Sequence, residues 1–113
     1  MKIVKDKIAI SEIRRMAKKG FGSLVKAAVD VEKEIMAIDG ELHADEEALL
    51  ITHGSKQRNL WGINLYPELP ESERVEFDSV INLRPASGNK SRGVDDRKLR
   101  KKIIEIVDKL IKS

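Results

Sequence analysis

The sequence predicts an α+β fold: an antiparallel β-meander of about four strands, with a short N-terminal helix and a long amphipathic C-terminal helix packed on one face. Three observations carry this. The arms flanking Asp39-Gly40 mirror each other, and Asp-Gly is a favoured pair for a two-residue hairpin turn. The phrases Ile63-Asn64-Leu65-Tyr66-Pro67 and Ile81-Asn82-Leu83-Arg84-Pro85 repeat one strand-like pattern, each stopped by a proline. The last segment carries an apolar stripe of helical period.

In chain order, Lys2–Val4 forms a short strand. Ser11 is placed to cap a basic helix that runs to Lys19 and stops at Gly20. Folding at Asp39-Gly40 then sets Val29, Val31, Ile35 and Ala37 against Leu42, Ala44, Ala48 and Leu50, with Lys33 opposite Glu46 on the same face. The other face receives Asp30, Glu32, Glu34 and Met36 against Glu41, His43, Asp45 and Glu47. Residues 24–38 and 45–53 also fit helical stripes, but a helix would discard both the turn and the Lys33–Glu46 match. After a turn at His53-Gly54-Ser55, two further strands place Trp61, Ile63, Leu65, Phe77, Ile81 and Leu83 in the core. Asn64, Tyr66, Asn82 and Arg84 then point the other way. Gly88–Gly93 reads as a loop. The final helix starts near Asp95 or Asp96, runs to Lys112 and buries Leu99, Ile103, Ile106, Val107 and Leu110.

The 113 residues suit a single domain, 1–113, with 41% hydrophobic residues to build its core. There is no cysteine, which excludes disulfides, thiolate metal sites and cysteine nucleophiles. No leader-like or membrane-spanning stretch is present, so a cytoplasmic location is expected. High Lys, Glu and Ile with one glutamine, Gln57, leans towards a thermophilic source. Charge is laid out in blocks. Residues 1–29 and 84–102 each carry eight cations against two acids, whereas residues 30–47 carry eight acids against one lysine. Such blocks pair within a fold or present patches to partners.

The phrases Gly40-Glu-Leu-His-Ala-Asp45, Leu60-Trp-Gly-Ile-Asn64 and Ile81-Asn-Leu-Arg-Pro85 with Gly88-Asn89 resemble a small uncharacterised prokaryotic family. The resemblance runs from about Phe21 to the C-terminus. It implies no activity and supplies no catalytic residue.

Three function classes follow from the residues. The leading one is a binding or regulatory module whose ligand or protein partner meets the polar sheet face and the Gly/basic loop through His43, Asp45, Asn64, Tyr66, Asn82, Arg84, Asn89 and Arg92. The second is a metal-dependent hydrolase or phosphoryl-transfer enzyme. Glu32, Glu34 and Asp45 would hold a hard cation (Mg²⁺, Mn²⁺ or Ca²⁺) and His43 would act as a base. No Gly-x-Ser-x-Gly and no P-loop accompany it, so catalysis is the weaker reading. The third is nucleic-acid binding by Arg97, Lys98, Arg100, Lys101 and Lys102, five cations at a helix start where the macrodipole disfavours them. An antiparallel sheet also leaves edges that a homodimer would pair.

Overall fold

A computed structural model describes residues Met1–Ser113. The fold is α+β, with a five-stranded, wholly antiparallel sheet, a short N-terminal helix and a C-terminal helix, as the sequence predicts. The sheet is ordered β1-β4-β3-β5-β6, built from β1 (Lys2–Val4), β3 (Val25–Asp30), β4 (Ile35–Ile38), β5 (Leu60–Leu65) and β6 (Val75–Glu76). A parallel two-residue pairing of β2 (Ile8–Ala9) with β7 (Ile111–Lys112) joins the two ends of the chain. The helices are α1 (Ile10–Lys19), α2 (His43–Thr52) and α3 (Arg97–Leu110). None is long and apolar enough to cross a membrane.

Strand alternation divides the apolar residues between two layers. Val25, Ala27, Val29, Met36, Ile38, Trp61, Ile63 and Leu65 face one way, and α1 covers them with Ile13 and Ala17. On the same side α3 contributes Ile103, Ile106, Val107 and Leu110, the stripe expected from the sequence, with Leu99 half-buried at its start. Asp96 rather than Asp95 caps this helix, accepting from the backbone N–H groups of Lys98 (2.8 Å) and Leu99 (3.4 Å). The opposite layer is smaller: Leu50 of α2 packs on Ala28, Ala37 and Leu60. Both sheet faces are therefore covered, and the open polar face expected from the sequence does not exist.

The hairpin differs from expectation. Its turn is Val31–Glu34, with Asp30 opposite Ile35, Val29 opposite Met36 and Ala27 opposite Ile38. Asp30 builds this turn: Oδ1 accepts from the N–H groups of Glu32 and Lys33, both at 2.9 Å, and Ser55 Oγ donates to Oδ2 at 2.6 Å. Asp39-Gly40 does turn the chain, with Asp39 at φ +69°, but it leads into α2 rather than a returning strand. Lys33 and Glu46 are consequently no pair. Lys33 lies in the turn, and Glu46 is fully buried on α2, its Oε2 accepting from the Gly40 N–H at 2.9 Å. A β-carbon on Gly40 would lie 2.7 Å from Glu46 Cγ, so only glycine permits this approach.

Residues 81–83 do not form a strand either. Val80–Asn82 is a 3₁₀ turn, capped by Ser79 Oγ, which accepts from the Ile81 N–H. Ser79 sits so close over β5 that a β-carbon on Gly62 would fall 2.5 Å from its Oγ. That contact covers the face of β5 at Gly62, where a larger residue would collide with Ser79.

Candidate nucleic-acid interface

Most residues of the leading sequence hypothesis are brought together beside α2, where they are spent on the fold. β6 pairs with β5 only at Asn64 and Leu65, so the N–H and C=O of Gly62 have no strand partner on that edge. The fully buried Asn82 side chain replaces the missing strand. Its Oδ1 accepts from Gly62 N at 2.8 Å, and its Nδ2 donates to Gly62 O and Arg92 O, both at 2.9 Å. Asn89 organises the following loop by donating to the carbonyls of Asn82 (2.7 Å) and Gly93 (2.8 Å) and accepting from Asp95 N (2.8 Å).

Arg84 stacks on the Trp61 ring at 4.4 Å and donates to the carbonyls of Ile81, Arg58 and Leu60. His43 is buried, with Nε2 bonded to Ile63 O at 2.8 Å, which makes Nε2 the protonated nitrogen. Burial pushes its pKa down, against the Ile63 carbonyl, which favours the cation. Asn64 Nδ2 and Tyr66 Oη both donate to Glu76 Oε1, at 2.8 and 3.0 Å. Arg92 is paired with Asp78 at 2.6 Å. Only Asp45, exposed in the first turn of α2, has no such duty. These contacts are the reason the cluster reads as internal scaffolding and not as a set of ligand anchors.

The acids do not assemble. Glu32 accepts from Asn59 at 3.2 Å, while Glu34 takes Lys109 and Lys102, the latter at 3.7 Å. The hydrogen bond from Lys109, then the charges of Lys109 and Lys102, hold the Glu34 pKa below the usual carboxylate range. Asp45 lies on a different element from both. No group of three or more His, Asp or Glu side chains is placed to hold a metal ion, so the Glu32–Glu34–Asp45 set predicted from the sequence is not formed. The reason is the shifted hairpin turn, which leaves Glu32 and Glu34 between strands and lifts residues 43–52 onto a helix. Glu46 is raised to about 8, chiefly by burial, with the Gly40 N–H and Lys26 opposing, and so it is neutral at pH 7.

The basic segment does form a surface. Its five cations lie in the first two turns of α3, exposed or half-buried, and only Lys102 meets an acid, Glu34. The Asp96 cap offsets the macrodipole that opposes them. Nor is α3 alone. On the same side of the sheet α1 adds Arg14, Arg15, Lys18 and Lys19, so the two helices carry ten cations against three acids. The opposite layer, α2, has three acids and no cation. Glu46 is neutral at pH 7, however, and Lys26, Arg58, Arg84 and Arg92 lie beside α2, so the cation excess belongs to the α1–α3 layer and is not a polarity across the sheet. Beside the start of α3, Phe77 and Ile104 line a 530 Å³ depression rimmed by Arg97, Arg100, Lys101 and Glu105. Phe77, a core residue on the sequence pattern, does pack against the main core but is half-buried and also reaches this depression. The exposed Ile104 on a basic stripe was the one sequence signal for the depression.

A second cleft, of 630 Å³, opens between the end of α1 and the 39–42 connection. Phe21 and Leu42, 53% and 56% exposed, flank it, and the Lys26 ammonium lies 4.9 Å from the Phe21 ring centroid.

No curated protein and no solved structure matches the chain. A family model described as "Protein of unknown function (DUF5674)" matches residues 2–110. The match spans nearly the whole chain, and the chain belongs to the DUF5674 family.

Proposed function

We propose that this protein is a nucleic-acid-binding module whose contact surface is the outer face of α1 and α3, centred on Arg97, Lys98, Arg100 and Lys101. The observation that carries the reading is the charge of the layer formed by α1 and α3: ten cations against three acids, of which only Arg14, Lys102 and Lys109 pair with acids from elsewhere, Glu68 and Glu34. Intramolecular pairing would be the ordinary use of a basic block, yet the acidic block takes only Lys102 of the five cations at the start of α3. A phosphate backbone is the ligand whose regular negative charge suits such a surface.

Binding by phosphate contact releases counterions, so log K falls linearly with log salt, by about 0.7 to 0.9 per phosphate neutralised. Fluorescence anisotropy with labelled oligonucleotides is expected to give such a line, and the double variant Arg100→Ala, Lys101→Ala should flatten it by about 1.5. An unchanged slope would count against this surface. A coarser reading, a ligand-binding module, is supported by the 630 Å³ cleft at Phe21 and Leu42. It is tested by fragment screening, with Phe21→Ala expected to remove any hit.

A further inference from the structure

We infer that the α3 surface takes a single strand rather than a duplex, with one unpaired base seated against Phe77. This rests on the nucleic-acid reading above and adds the strandedness of the ligand to it. Arg97, Arg100, Lys101 and Ile104 occupy positions i, i+3, i+4 and i+7 of α3 and so share one stripe. Phe77, one residue beyond β6, lies beside that stripe across the 530 Å³ depression. Its ring is half-buried and packs against the main core, which leaves little rotamer freedom to lose on binding.

The depression therefore has an apolar floor, Phe77 and Ile104, and a cationic rim. The rim's one acid, Glu105, lies beyond Ile104 and repels phosphate at that end, so phosphates are directed to Arg97, Arg100 and Lys101. In a duplex the base faces are stacked on their neighbours, and only an unpaired base can offer a π-face to an aromatic ring. An arginine beside that ring can add a cation–π contact to the same base. A duplex would use the cations and leave the apolar floor empty.

The test is anisotropy with a single strand of about 12 nucleotides and a hairpin duplex of the same sequence, against the full chain, F77L and F77W. The single strand is expected to bind at least about tenfold tighter than the duplex. F77L should lose about tenfold for the single strand with its salt slope unchanged, whereas F77W should retain wild-type affinity. If F77L melts below the assay temperature, the indole introduced by F77W carries the test, quenched by the single strand and not by the duplex. Equal affinity for the duplex, or no effect of F77L, overturns the base seat while leaving the polyanion surface intact. Equally tight, Phe77-dependent binding to phosphatidylserine vesicles would overturn it as well. Absence of salt-dependent binding to either oligonucleotide overturns the underlying reading instead.

Discussion

Asn82 offers the sharpest separation of scaffold from ligand site. Asn82→Ala removes three hydrogen bonds at once and strands Gly62 N, Gly62 O and Arg92 O, the first two on a sheet edge that no strand covers. Each buried polar group left unsatisfied costs about 1–3 kcal/mol, and entry of a water molecule would recover part of that. The expected loss is therefore about 4 kcal/mol, a large fraction of the 5–15 kcal/mol that holds a typical domain together. In urea, where stability falls by about 1–3 kcal/mol per molar, the midpoint should drop by about 2 M. Arg92→Ala is the control. It removes an exposed ion pair to Asp78 but keeps the Arg92 carbonyl, and should cost less than about 1 kcal/mol. A shift below about 0.5 M for Asn82→Ala, or one no larger than that of Arg92→Ala, would show that the Asn82 side chain is free to serve a ligand and not the fold.

Two further outcomes concern Glu46. Its carboxyl titrates near 4.5 in the unfolded chain and at about 8 in the fold, so between those values unfolding releases a proton. The stability that the neutral carboxyl contributes is complete below pH 4.5 and is lost as pH rises through about 8, at no more than about 1.4 kcal/mol per pH unit. Glu46→Gln should remove this slope and leave the protein more stable than wild type at pH 8; a destabilised variant with the slope retained would contradict the assignment. Gly40→Ala should cost about 1–3 kcal/mol through overpacking against Glu46, and the cost should shrink in a Glu46→Ala background. Strict additivity in that double-mutant cycle would contradict the contact.

The elements legible in the sequence are those whose signal is local and repeated. The α3 stripe, the short β1 strand and the inward residues of β5 each follow from a periodicity the segment itself displays. The hairpin is ambiguous in the sequence because two turn signals compete within ten residues. Asp39-Gly40 is the stronger pair on statistics, but Asp30 forms an actual side-chain cap over Val31–Glu34 and is held by the distant Ser55. Residues 43–52 satisfy both periods, since Glu46 and Leu50 fit a strand alternation and a helical face equally well. Packing of Leu50 on Ala28, Ala37 and Leu60 chooses the helix.

The candidate site divides along the same line. The cations of α3 were visible because they form one run. The polar cluster at Asn64, Asn82, Arg84 and Asn89 was visible as a cluster but not as scaffolding, because its partners are backbone atoms far away in sequence. Phe77 joins the basic stripe only through tertiary packing, so nothing near it in the chain announces the contact.

The proposed function places nucleic acid on the basic helical layer. The most direct measurement is amide chemical-shift mapping of the full chain on titration with a short single-stranded oligonucleotide at low salt. The shifts are expected at Phe77, along Arg97–Ile104 and over Arg14–Lys19, and they should collapse as salt is raised. Shifts confined instead to α2 and the 80–95 segment, or a spectrum untouched by the oligonucleotide, would rule out the basic helical layer as the contact surface.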